Sequence, residues 1–125
     1  MGYAIKILRF TSDLTTEEII QRDENYELDE VSEKVDHLYM SYNHREAFKK
    51  LDIYPRSFNY KEVREVLPYY IKALEKIKEQ EGIEDEEEFC ISDYFEQSPV
   101  VVYEIIKEVI KSLRYCEGDE IWISD

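Results

Sequence analysis

Chain breakers are scarce in this sequence: 125 residues contain only three glycines and three prolines. That shortage disfavours a loop-rich or low-complexity chain and leaves helices and strands joined by short connections. Cysteine is scarce too. Cys90 and Cys116 fall outside any C-x-x-C spacing and read as reduced thiols of a cytoplasmic protein, although their pairing stays open on sequence. There is no apolar run of about 18 residues, the length a membrane helix needs. Residues 1–6 carry no basic region leading into a long apolar run, and no Asn-x-Ser/Thr sequon occurs. These absences point to a cytoplasmic protein with no membrane association.

Positive charge is the other deficit. Sixteen Lys and Arg stand against thirty Asp and Glu, a formal net charge of -14. A field of that sign repels phosphate backbones and anionic lipid, so direct nucleic-acid binding is disfavoured. It attracts basic partners, or does no more than keep the chain soluble and monomeric. The hydrophobic share of 43% is that of an ordinary globular protein, and the aromatic share of 14% is high, so disorder is not expected. The length suits one domain spanning residues 1–125.

Residues 3–10 alternate Ile5 and Ile7 against Lys6 and read as a strand. Thr15 followed by Glu18 is a capping box opening a short helix. Residues 23–33 are mostly charged and read as an irregular or weakly helical connection. A second strand is expected over 36–42, with Leu38 and Met40 on one face and His37 and Tyr39 on the other. Asn43 with Glu46 three residues on repeats the capping pattern, so a helix should start there and run through Leu51. Asn59 with Glu62 does so again, before a long helix to about Glu81 with apolar residues at three-and-four spacing. Pro68 interrupts that helix and predicts a kink or restart. Residues 79–96 hold nine acidic side chains and no Lys or Arg, and read as a loop. Ser98-Pro99 opens a helix to about Tyr115, Gly118 stops it, and Ile121-Trp122-Ile123 is a final strand. The expected fold is α+β: about three strands in a small sheet, packed against two long helices, with shorter helices.

Chemistry-bearing side chains concentrate in residues 36–46, which hold both histidines. His37 and His44 lack helical i,i+4 spacing and a neighbouring Cys ligand, so no metal is expected. Ser41 beside either histidine is the sole local nucleophile pair, and no G-x-S-x-G turn or glycine-rich phosphate loop exists. An enzyme, a catalytic residue and a cofactor are therefore not expected. A strand running straight into a helix start points free N–H groups outward, a physical basis for holding a small anion. Six tyrosines, Tyr39, Tyr42, Tyr54, Tyr60, Tyr69 and Tyr70, either line a pocket or border a core too small to bury them all. Arg45, Lys49, Lys50, Arg56, Lys61 and Arg64 form the main basic concentration.

The run Met40-Ser41-Tyr42-Asn43 at a strand end, followed by a short helix, a long helix with Leu67-Pro68, a closing helix and Trp122 near Asp125, resembles a group of small uncharacterised bacterial and phage proteins with an apolar-Thr/Ser-Tyr-Asn motif. The resemblance implies a phage or prophage setting and draws attention to Tyr42 and Asn43; no known activity comes with it. Ser41 stands where Thr is more usual.

Two functional expectations follow. The first is a small acidic non-catalytic protein that engages a basic surface on another protein, of immunity or anti-defence type, through Glu84, Asp85, Glu86, Glu87 and Glu88. The alternative is a binder of a small anion or nucleotide at the Tyr42/Asn43 helix start, using Tyr39, Tyr42, Asn43, His44, Arg45 and Arg56.

Overall fold

The computed structural model describes residues 2–82 and 99–125. Strand β1 (Gly2–Phe10) is followed by helices α1 (Thr16–Glu24) and α2 (Leu28–Val31), strand β2 (Ser32–Ser41), a 3-10 turn at Tyr42–His44 and helix α3 (Arg45–Lys50). A second 3-10 turn at Pro55–Phe58 leads to the long helix α4 (Val63–Glu81), helix α5 (Pro99–Arg114) and strand β3 (Ile121–Ser124). The fold is α+β, as the pattern of elements predicts.

The first strand in the chain is the middle strand of the sheet, in the order β2-β1-β3, antiparallel throughout. Period-2 alternation then sorts the side chains. Tyr3, Ile5, Ile7, Met40 and Trp122 join the main core with α4 and α5, whereas Leu8, Ile121 and Ile123 form a smaller cluster with Ile19 of α1 and Leu28 of α2. The ladder slips once, with Ile7 opposite Asp36 and Leu8 opposite Lys34, so Val35 is an extra residue in the edge strand. Such a bulge twists an edge strand and blunts its tendency to pair with another chain.

Helix α4 buries Val63, Val66, Tyr70, Ala73 and Ile77 in one stripe, while α5 buries a wider band from Val101 to Leu113. The wider band follows from position, since α5 packs on both α4 and β2. Trp122, fully buried, donates its indole N–H to the Pro55 carbonyl at 2.9 Å, and the Tyr70 hydroxyl, also buried, donates to the Ile53 carbonyl at 3.1 Å. Burial pushes the Tyr70 hydroxyl far above the ordinary tyrosine range.

Several local expectations need correction. The Thr15–Glu18 capping box is present, with Glu18 N–H donating to Thr15 Oγ1 at 3.2 Å. Asn43 is not a helix cap: Ser41 Oγ accepts from the Asn43 N–H at 3.2 Å, and His44 stands at the N-cap of α3. Asn59 does not cap α4 either, because Glu62 does, with the Glu65 carboxylate accepting from the Glu62 N–H at 3.0 Å. Both asparagines have the right side chain, but the backbone enters each helix at a different residue. β2 starts four residues earlier than expected, and residues 23–33 are mostly ordered into the end of α1 and all of α2. α4 runs through Pro68 without a restart and ends at Gly82, whose φ of 62° is the left-handed conformation of a helix stop. The acidic run Glu84–Glu88, together with Cys90 and Ser98, lies outside the described residues.

Candidate functional site

At the end of β2 the chain must turn back over the core, and Ser41, 3% exposed, shapes the turn through its bond to the Asn43 N–H. The turn points His44 inward, 1% exposed, with its ring centroid 6.0 Å from that of Phe48. Tyr42 turns towards the sheet, edge-on to Tyr3 at 4.6 Å. Asn43 and Arg45 are left facing solvent. Beside this turn lies a cavity of about 480 Å³, lined by Tyr42, Asn43, His44 and Arg45, by Glu46, Ala47, Lys50 and Leu51 of the following segment, and by Ile77, Gln80 and Val102 from α4 and α5. Its volume falls within the usual range for small-ligand pockets.

Four of the six sequence-selected ligand residues therefore meet at one cavity. The other two do not line it. Tyr39 on β2 is 47% exposed and lines a smaller groove shared with His37 and Glu108. Arg56 approaches Tyr42 from behind: its Nη2 donates to the Tyr42 hydroxyl at 3.2 Å, its Nε donates to the Asp125 carbonyl at 2.7 Å, and its guanidinium lies 5.3 Å from the Tyr3 ring centroid. Arg56 thus ties the 3-10 turn after α3 to the end of β3 and holds Tyr42 in place.

Backbone geometry also changes the proposed means of holding an anion. The Asn43 N–H goes to Ser41 and the Arg45 N–H to the Tyr42 carbonyl, and α3 has six residues. These two N–H groups are committed within the turn and are not open to a ligand in the cavity. Its anion-attracting groups are the side chains of Arg45 and Lys50, opposed by Glu46, whose carboxylate is 3.9 Å from Arg45. The floor is apolar, from Leu51, Ile77 and Val102.

Sequence reading missed Lys50, Gln80 and Val102 as cavity residues. Three-and-four spacing places Ile77 on the inner face of α4, but nothing local says that the last turn of α4 and the first of α5 close over α3. The six tyrosines divide between both expectations: Tyr70 is core, Tyr42, Tyr54 and Tyr60 are partly buried, and Tyr39 and Tyr69 are about half exposed.

Behind Tyr42, the Tyr3 and Tyr54 rings lie 5.5 Å apart. Burial and a hydrogen bond to Tyr54 push the Tyr3 hydroxyl up to about 12. The same hydrogen bond lowers Tyr54 from its ordinary value against the opposing effect of burial, helped by Arg56, Lys49 and Arg45.

The two histidines are not brought together: His37 is exposed and lines the groove beside Tyr39, whereas His44 is buried and lines the cavity. Among the described residues no three His, Cys, Asp or Glu side chains are grouped to hold a metal, and no helix is long and apolar enough to cross a membrane. Cys116, a partly buried free thiol, is pushed up to about 11 by burial and by the nearby carboxylates of Glu120 and Asp36, which makes it a poor nucleophile. No protein-family model, no curated protein and no solved structure matches the chain.

Proposed function

We propose that the protein is a non-catalytic binder of a small anionic molecule, held in the cavity between the Tyr42–Leu51 segment and the facing ends of α4 and α5. The observation that carries this reading is the meeting of Tyr42, Asn43, His44 and Arg45 at one cavity of about 480 Å³. Arg45 and Lys50 supply the charge, Asn43 and Gln80 supply amide donors and acceptors, and Leu51, Ile77 and Val102 accept an apolar body. Calorimetry against a panel of carboxylates and phosphates with apolar bodies tests it. A ligand should emerge whose affinity falls about tenfold, the loss of roughly 1.4 kcal/mol, in Arg45→Gln and in Lys50→Gln at unchanged melting temperature. A panel without a binder, or a binder indifferent to both substitutions, defeats the reading.

The net charge of -14 favours a second reading, in which the protein is a cytoplasmic accessory of phage or prophage origin, of immunity or anti-defence type, that engages a basic protein surface. Its proposed contact residues are Glu84–Glu88, and its attraction to a basic partner would fall with salt. Affinity capture at low salt should recover a basic protein, and replacing Glu84–Glu88 by Gln should abolish that capture. Capture that survives the replacement removes these residues from the interaction.

A further inference from the structure

On the other flank of α3 from the cavity, the chain reverses direction twice in a short space. Asp52 (φ 60°) and Tyr60 (φ 69°) are two of the three non-glycine residues in the left-handed region among the described residues. Each reversal is held by hydrogen bonds, from the Ile53 N–H to the Phe48 carbonyl and from the Tyr60 N–H to the Trp122 carbonyl, both 2.9 Å. Backbone strain of this kind collects where a fold is shaped around a site.

Between the two reversals lies an open groove of about 430 Å³. Phe58, buried, forms its base and meets the Tyr69 ring at 5.2 Å. Tyr54 and the half-exposed Tyr69 line the groove together with Lys49 and Lys61. Neither ammonium is within ion-pair distance of a carboxylate among the described residues, although the chain carries almost two acids for each base. The Lys49 ammonium instead lies 5.3 Å from the Tyr54 ring centroid. Ser57 and one carboxylate, Asp52, complete the lining.

Two ammoniums without a carboxylate partner among the described residues, the half-exposed ring of Tyr69 and one acceptor around a single groove match the parts of a nucleoside phosphate. Lysines hold the phosphate as point charges, a phenol ring stacks on the flat base, and a carboxylate accepts from a sugar hydroxyl or a base amine. We propose that this groove is a second ligand site, distinct from the Tyr42–Leu51 cavity, and that it binds a nucleoside monophosphate.

Calorimetry of the full chain with adenosine 5′-monophosphate, adenosine and inorganic phosphate tests the proposal. The monophosphate should bind at least about tenfold more tightly than either fragment. Lys49→Gln and Lys61→Gln should each weaken it about tenfold, and Tyr69→Leu severalfold, at unchanged melting temperature. Lys72→Gln, on the exposed side of α4, should leave it unaltered. Absence of binding overturns the proposal, as does equal affinity for phosphate alone. Binding that Arg45→Gln abolishes while Lys49→Gln and Lys61→Gln preserve it places the nucleotide in the cavity and overturns the groove. Because the variants differ, failure to find a cavity ligand does not bear on this result.

Discussion

Glu120 shows what one side chain can hold together. Its carboxylate is fully buried and accepts from the Glu117 N–H at 2.8 Å, the Gly118 N–H at 2.7 Å and Arg9 Nη2 at 3.2 Å. Burial alone would raise its pKa, but these donors outweigh burial and hold it below the ordinary 4.5. The sign of the linkage follows: the stabilisation is complete above the unfolded value and is lost as pH falls through the lower folded value. Glu120→Gln should cost about 2 kcal/mol in urea unfolding at pH 7, the scale of hydrogen bonds to a charged group. It should also flatten the loss of stability below about pH 4.5. A variant with wild-type acid sensitivity would assign that loss to other carboxylates. Ser41 is a second case. Because it, not Asn43, accepts at the turn, Ser41→Ala should lower stability by about 1 kcal/mol, a cost the sequence pattern assigns to Asn43. Chemical denaturation of Ser41→Ala measures it. Sequence marks both residues as capable, yet only the path of the backbone decides which oxygen meets which N–H.

Among the elements, β3 depends most on residues far away in the chain. One side pairs with β1. The other is closed by residues 59–63: the Asn59 amide accepts from the Ser124 N–H at 2.5 Å and donates to the Ser124 carbonyl at 2.9 Å, while Tyr60 N–H and Lys61 carbonyl pair with Trp122. Asn59 acts as a peptide group would in a strand. Asn59→Ala leaves both Ser124 groups unpaired in a part-buried place, and should cost about 2 kcal/mol by thermal or urea unfolding. A loss within 0.5 kcal/mol, roughly the size of an ordinary surface change, would mean that water replaces the amide. Pro68 has the opposite expectation. It is exposed, interior to α4, and supplies no N–H for the Arg64 carbonyl. Pro68→Ala should therefore raise stability, by about 1 kcal/mol, against the roughly 3 kcal/mol proline penalty of an ideal helix. A fall in melting temperature instead would show that the ring packs usefully where it lies. The apolar spacing of α4 made the helix legible; that it continues through the proline follows from its stripe of buried contacts, which outweighs one lost hydrogen bond.

For the molecule as a whole, charge is the leading quantity. The ion pairs among the described residues are mostly exposed and worth about 0–1 kcal/mol each. They do not offset the self-repulsion of a chain at -14. Added salt should therefore stabilise the fold: raising NaCl from about 10 mM to about 300 mM shortens the screening length severalfold and should lift the melting temperature by a few degrees. A fall on adding salt would show that attractive pairs dominate. From the sequence alone come the α+β class, the three strands, both long helices and the -14 charge, because each rests on local periodicity or on counting. Tertiary structure alone placed β1 in the middle of the sheet, gave α5 its two packing surfaces, and brought Gln80 and Val102 to the Tyr42–Arg45 turn. It also separated Tyr39 and Arg56 from that cavity and turned Lys49 and Lys50 towards different concavities. The reason is the range of the forces: propensity and capping act over a few residues, whereas a cavity is what remains when distant faces pack, and no local pattern encodes which faces meet.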